Sequence, residues 1–311
     1  FRINNANNRF MNKIFTIFML FFFATSANSE VKDKVLNKAS KKISEVVGNL
    51  IPGEGLTEAS VTLKDNNSGN GNWQFNILAV RDIINSDNSN LFTQFSLHDQ
   101  EIDSDKRIIG NLGLGYRVLS SDQSMMLGAN TFLDRDMSEG HERVSFGLEA
   151  KAAMLNFDFN QYQKATLQKE VSGTKEQVLS GTEYNLSSQI PYMPWSTFNF
   201  QGYRWENEKA ENYQKGNIYS LEMSLTPSLE FNIGKDVSSV TGVDDEHSYI
   251  LTFVYPPSDN KPSLMDGAIA ELAFEEKNMQ AALKDKVRRN NNLAVEIQGS
   301  VIITSKEYQI S

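Results

Sequence analysis

In the stretch GANTFLDRDMSEGHERVSFGLE, Gly128 to Glu149, the residues Asp134, Asp136, Glu139, His141, Glu142 and Arg143 fall within ten positions. Carboxylates beside a histidine are the raw material of general acid–base chemistry, the imidazole moving a proton while an acid orients it. The chain has only three histidines, so their company matters. A hydrolytic site also needs a nucleophile within reach of the base and a donor for the developing charge. No G-x-S-x-G or comparable context surrounds a serine near His98 or His247. The competing account is a hydrophilic hairpin with Gly140 in its turn and its charges solvated or paired with interior arginines. That account is the expected one, and no enzymatic role is assigned.

Two further acidic stretches invite a cation. Asp65-Asn66-Asn67-Ser68-Gly69-Asn70 looks like a calcium loop, but Asn76 stands where a bidentate glutamate belongs and the flanks read as strands. Asp244-Asp245-Glu246-His247 reads as an exposed acidic loop. With no cysteine, thiolate metal sites and disulfides are excluded. No cofactor is implied. A net charge of −9 offers no global basic field for nucleic acid.

The elements that would position these residues begin with an export signal. Met11-Asn12-Lys13, the apolar run Ile14 to Ala24 and the small residues of TSANS, Thr25 to Ser29, make a secretory signal peptide over residues 11–29. Cleavage after Ala27 or after Ser29 fits equally. The apolar run is shorter than the roughly 20 residues of a membrane helix. Residues 1–10 precede a credible start methionine and read as translation overhang.

Residues 30–53 hold a lead-in helix: Val31, Val35, Ala39, Ile43, Val46, Val47 and Leu50 form one apolar stripe, ended by Pro52 and Gly53. It is expected on a barrel rim or a partner.

From residue 54 to 257 the period becomes two. Val144, Phe146 and Leu148 alternate with Ser145, Gly147 and Glu149, and Leu229, Phe231 and Ile233 with Glu230, Asn232 and Gly234. Twelve such segments start near Leu56, Trp73, Leu91, Arg107, Ser124, Glu142, Ala153, Gly181, Ser196, Asn217, Ser228 and His247. Connections after odd strands are polar and mostly long, Asp99–Lys106 and Lys164–Ser180 among them. Those after even strands are mostly tight, though Asp82–Asn90 is longer. Sorting of loops by parity is the mark of an outer-membrane barrel, with short periplasmic turns and long external loops. Only helices and closed barrels satisfy their backbone in lipid, and no long apolar helix follows the signal.

Gln94, Ser96, Asn111, Arg117, Glu149, Asn156, Asp158, Glu222 and Glu230 then point into a wet lumen. Tyr192 and Trp195 at one end, with Tyr203 and Trp205 at the other, are expected in the two interfacial girdles. Beyond the barrel, residues 258–311 read as a helix over Leu264–Asn292, from Ile269, Leu272, Ala273, Met279, Leu283 and Val287, and then an extended linker over Leu293–Ile303.

These residues resemble the β-domain of inverse autotransporters, the intimin/invasin family. The resemblance rests on Asn111–Arg117, on Phe132-Leu133-Asp134-Arg135-Asp136, and on Arg143 to Glu149, where Gly147 is kept and Ser145 replaces a second glycine. It rests also on Asp285 to Ile297, with Asn290, Asn291 and Asn292 at its centre. Asn is common in the family where His141 stands. The family-motif residues are thus Phe132, Asp134, Asp136, Arg143, Gly147, Glu149, Asn290, Asn291 and Asn292.

The resemblance implies an all-β transmembrane barrel of about twelve antiparallel strands in the Gram-negative outer membrane, reached by Sec-dependent export. It implies a C-terminal helix in the lumen and a linker that carries an adhesive passenger outward. Partners would be outer-membrane lipid and lipopolysaccharide, the barrel-assembly machinery, and host or other cells through a passenger. The chain ends at Ser311, where such a passenger would begin, so adhesion is assigned to no residue. The rival expectation is a stand-alone small porin-like or structural barrel.

Overall fold

The computed structural model describes residues 29–66, 72–103, 105–206, 214–240, 245–257, 262–265, 269–274, 278–297, 300–302 and 307–308. The overhang, nearly all of the signal segment, most of the calcium-like loop and the end of the linker lie outside the described residues.

Twelve strands close into one antiparallel barrel. They are β1 (Thr57–Asn66), β2 (Asn72–Asn85), β3 (Ser89–Ile102), β4 (Asp105–Leu119), β5 (Met125–Asp136), β6 (Glu142–Ala152), β7 (Leu155–Lys164), β10 (Ser180–Ile190), β11 (Met193–Glu206), β12 (Gln214–Thr226), β13 (Leu229–Ser238) and β14 (Glu246–Tyr255). Each begins within three residues of its sequence-based start. β1 pairs with β14 from Thr57↔Tyr255 to Asn66↔Glu246, which closes the wall and leaves no free edge.

The alternation sorts as expected. On β4 the outward Leu112, Leu114 and Tyr116 are exposed, while the inward Asn111, Gly113, Gly115 and Arg117 are buried. An apolar outside and a polar inside suit lipid and water respectively.

The two rims differ. At the lower rim, strands join through short turns at 120–124, 153–154, 191–192 and 227–228. The upper rim carries most of the long connections. Two expected loops are instead strand: β3 and β4 stay paired to Ile102↔Asp105, around a turn in which Asp103 has φ 52, and β2 and β3 meet at Asn85↔Asn90. Polar side chains there marked a wet lumen wall and hairpin ends, not irregular backbone. The stretch 165–179, also expected as loop, holds the hairpin β8 (Lys169–Val171) and β9 (Thr174–Val178).

Helix α1 (Ser29–Gly48) precedes the barrel, close to the expected span. The long lumen helix over Leu264–Asn292 is not formed. Among the described residues of that span the only helical element is a 3-10 turn, Met279–Lys284, capped by Asn278. Ile269 and Leu272, two residues of the expected apolar stripe, are largely exposed.

From β14 the chain passes along the lower rim. Leu264 N bonds to Ser224 O, and Ala270 and Ala273 bond to Tyr192 at the β10–β11 turn. It then rises through the lumen in extended form. Residues 285–294 hold no helix, and ten residues at the extended rise of about 3.3 Å would reach up to about 33 Å, close to the hydrocarbon thickness, whereas a helix would need about 20 residues. The segment leaves at the upper rim as β15 (Val295–Ile297), which pairs with β9 and with β16 (Ser300–Ile302); β17 (Glu307–Tyr308) completes a five-stranded sheet outside the barrel.

Candidate functional site

A non-helical segment at membrane depth must find a partner for each buried backbone group inside the protein. The barrel wall supplies them level by level. Near the lower rim, Asn90 and Arg117 donate to Leu283 O at 3.0 and 3.1 Å, and Arg117 reaches Asp285 O at 2.5 Å. Above them, Val287 N donates to Gln94 Oε1 at 2.7 Å. Asn160 donates to Arg288 O, Arg143 to Asn290 O and Asn111 to Asn291 O. Gln100 takes both groups of Leu293, accepting from its N at 2.8 Å and donating to its O at 2.7 Å. The strap's backbone is therefore held by β3–β7, the half of the wall nearest it.

Its side chains reach further. Lys286 meets Glu58 at 2.7 Å and Arg288 meets Glu222 at 2.9 Å, both across the lumen. Arg289 forks onto Asp134 with bonds of 2.9 and 2.7 Å. Asp134 also accepts from Arg143 at 2.9 Å and from Asn111 at 2.7 Å. Asp134, Arg143 and Arg289 side chains are fully buried. Charges removed from water persist only when paired and hydrogen-bonded, and one carboxylate here serves two guanidinium groups. Aromatic faces complete the cradle: the Arg289 guanidinium lies 4.2 Å from the Phe132 ring centroid, and that of Arg143 lies 4.2 Å from Tyr162. Gly113 makes room for the Phe132 ring, since a Cβ there would run into it.

The structure thus brings Phe132, Asp134, Arg143, Asn290, Asn291 and Asn292 to one level of the lumen. Asn290 N donates to the Tyr162 hydroxyl, Asn291 Oδ1 accepts from Arg289, and Asn292 Oδ1 accepts from Gln74. Glu149 sits lower, holding Arg117 at 2.7 Å. Gly147 leaves space for Asn130 and Asn160, which a Cβ would strike. Asp136 caps the upper hairpin, accepting from Ser138 N and Glu139 N.

The hairpin takes the paired form of its expectation: Asp134 meets Arg143 and Arg289, and Asp136 meets Arg107, while Met137, Ser138 and Glu139 at its tip are exposed. His141 is buried, its Nε2 3.2 Å from Glu176 on β9. Glu176 also receives both Nη atoms of Arg107, at 2.7 and 2.6 Å. Burial alone would raise the Glu176 pKa, but the hydrogen bonds from Arg107 and His141 outweigh it and hold the carboxyl at about 2. Beside this cluster Ile102, Ile109, Val178, Leu293, Val295 and Ile297 form an apolar plug under the outer sheet.

Tyr203 and Trp205, expected in an interfacial girdle, lie inside the barrel. Trp205 is fully buried beside Tyr162, with its ring 5.2 Å away, and Tyr203 packs against that group while bonding Asp236. They line the lumen, not the lipid interface, because their positions share the inward face with Asn199 and Gln201. Tyr162 and Arg289 belong to the site but to none of the motif residues read from the sequence. Two arginines before NNN, facing a lumen rich in acids, were the available signal.

Between the strap and the β10–β14 half lie two cavities of about 310 and 320 Å³. Gln74, Asn185, Gln201 and Asn232 line both.

A closed twelve-stranded barrel, apolar outside and wet inside, places the protein among outer-membrane β-barrels. The model of one family, the inverse autotransporter β-domain, matches residues 22–291, and the chain belongs to that family. The attaching and effacing protein homolog of Escherichia coli K12 is 31% identical over 107 residues, 33% of this chain and 35% of that protein. Intimin of Escherichia coli O111:H- is 24% identical over 210 residues, 64% of this chain and 22% of its own length. Invasin of Yersinia enterocolitica is 25% identical over 141 residues, 44% and 16% respectively. The matched stretch is thus well under half of each of these relatives. A membrane protein solved in a study of in-meso crystallization superposes with TM-score 0.62 at 20% identity, covering 78% of this chain and all of that one. It shares the fold.

Proposed function

We propose that this chain is the outer-membrane anchor and translocator of an adhesin: its barrel carries a C-terminal segment through the lumen and displays the polypeptide joined to that segment outside the cell. The observation that carries the reading is the strap, which enters at Leu283, is gripped at successive levels, and emerges at Val295–Ile297 in a sheet with β9. A passenger joined beyond that sheet would reach host or other cells. Likeness to intimin and invasin supports this assignment. The rim with short turns faces the periplasm on this reading, and the barrel-assembly machinery inserts the wall. No residue is given a catalytic role.

A folded epitope tag fused after Ser311 tests the proposal. Intact cells should bind antibody to the tag and lose it to added protease. A tag reached only after permeabilisation, on a barrel that still shows the heat-dependent gel shift of a folded outer-membrane protein, would overturn export. The two luminal cavities favour one second reading, a small porin-like barrel, and conductance in planar bilayers separates the two.

A further inference from the structure

Helix α1 lies on the outer wall of the barrel, not across its mouth. On β14, Ile250 and Thr252 line the lumen, so Leu251 and Phe253 face outward. Ala59 and Leu229 stand opposite Phe253 on β1 and β13, on the same outer face. Elsewhere on that face Leu112, Leu127 and Phe146 are 58%, 53% and 51% exposed, whereas Ala59, Leu229 and Phe253 are 5%, 3% and 4% exposed. Val47 of α1 covers them, with Ile43 at the edge. Ser44 donates to the Val254 carbonyl, and the Ser40 hydroxyl bonds that of Thr226 at 3.1 Å. Gly48 rests against the Tyr255 ring, where a Cβ would collide. The helix therefore crosses the seam between β1 and β14 at the lower rim, in a place that lipid occupies around the rest of the wall.

Its sequence is basic on balance. The sequence SEVKDKVLNKASKKISEVVG holds five lysines against three acids, and Lys38, Lys41 and Lys42 are exposed. Ser40, Ile43, Ser44 and Val47 face the wall, so at about 100° per residue Lys38 and Lys42 point away from it and Lys41 to one side, toward the lipid phosphates of the lower-rim leaflet. We propose that α1, through Lys38, Lys41 and Lys42, is a binding site for anionic phospholipid headgroups in the leaflet at the lower rim. The inference rests on the membrane placement of the barrel and does not depend on passenger export.

The test reconstitutes the whole chain in bilayers of phosphatidylethanolamine with phosphatidylglycerol, extracts it gently, and counts retained lipids by native mass spectrometry. The wild type should retain phosphatidylglycerol preferentially, by about fivefold per lysine engaged, the equivalent of ~1 kcal/mol for each basic residue near an anionic surface. Lys38→Gln/Lys41→Gln/Lys42→Gln should lose the preference, and the corresponding triple arginine variant should keep it. High salt should erase it in the wild type, because exposed charges are screened. No preference in the wild type, a preference indifferent to salt, or equal retention by a folded glutamine variant would overturn the proposal. The salt series uses wild-type protein, so it decides the matter even if the glutamine variant fails to fold.

Discussion

Asp134 holds Arg143 and Arg289 on one buried carboxylate, and Asn111 shares its Oδ1. Asp134→Asn keeps the shape but leaves two guanidinium groups without their counter-charge. Breaking a buried pair in this way costs about 3–5 kcal/mol, against the near-neutral effect of replacing a whole buried pair by apolar groups. The urea midpoint of the reconstituted barrel should fall accordingly. In a double-mutant cycle with Arg289→Gln the coupling should be about 0.5–3 kcal/mol; additivity would mean that Arg289 does not depend on Asp134. Glu176 offers a pH test. Its folded pKa of about 2 lies below the ordinary carboxylate value of 4.5. A depressed pKa contributes stability that is complete above the unfolded value and is lost as pH falls through the folded one. A spin label at Lys175, beside it on β9, should therefore grow more mobile between about pH 4.5 and pH 2. Glu176→Gln should be mobile at every pH, and a wild-type label that stays immobile down to pH 2 would contradict the argument.

At the scale of elements, the strap keeps step with β3, since Leu283, Val287 and Leu293 bond Asn90, Gln94 and Gln100 at the same spacing. Its extended rise is about 3.3 Å per residue, so deleting Asn291 and Asn292 should draw β15 inward by about 6–7 Å. That distance exceeds any slack in a ladder pairing Val295 with Val178 and Ile297 with Glu176. Amides of β9 should lose hydrogen-exchange protection while the twelve wall strands keep theirs; unchanged protection of β9 would show a slack strap. The strap also marks where sequence reading reached its limit. Wall strands were legible because lipid on one side and water on the other impose a period of two on every one of them. The strap has no such solvent boundary. Its backbone partners are Gln94, Gln100, Asn111 and Asn160, which come from other elements and leave no periodic trace in residues 285–294. The spacing of Met279, Leu283 and Val287 therefore read as helix, although Met279 and Leu283 pack on Met126 and Val287 on Phe92. Among the motif residues the types were legible and the partners were not: Asp134 was visible as an acid, and its fork with Arg289 was not.

For the whole molecule, the question is how much of the lumen the strap closes. It fills the side of β3–β7 and leaves two polar cavities against β1, β2 and β10–β14. The open wall carries Glu58, Glu183, Glu222 and Glu230, and the strap answers with Lys286, Arg288 and Arg289. An anchor whose lumen is occupied should therefore show a small conductance in planar bilayers. Removing residues 279–297 should raise it several-fold, since both the strap and the 3-10 turn leave the path. The same deletion takes away four basic residues, Lys284, Lys286, Arg288 and Arg289, and two acids, Asp285 and Glu296, while the four wall glutamates remain, so the enlarged pore should become more selective for cations, as the sign of the fixed wall charge dictates. Reversal potentials in a salt gradient measure that shift directly. Substituting Glu222 and Glu230 by glutamine in the deleted barrel should reduce it again. A wild-type conductance already large, and unchanged by the deletion, would instead identify a barrel built to pass solutes, with the strap as a side-wall fixture.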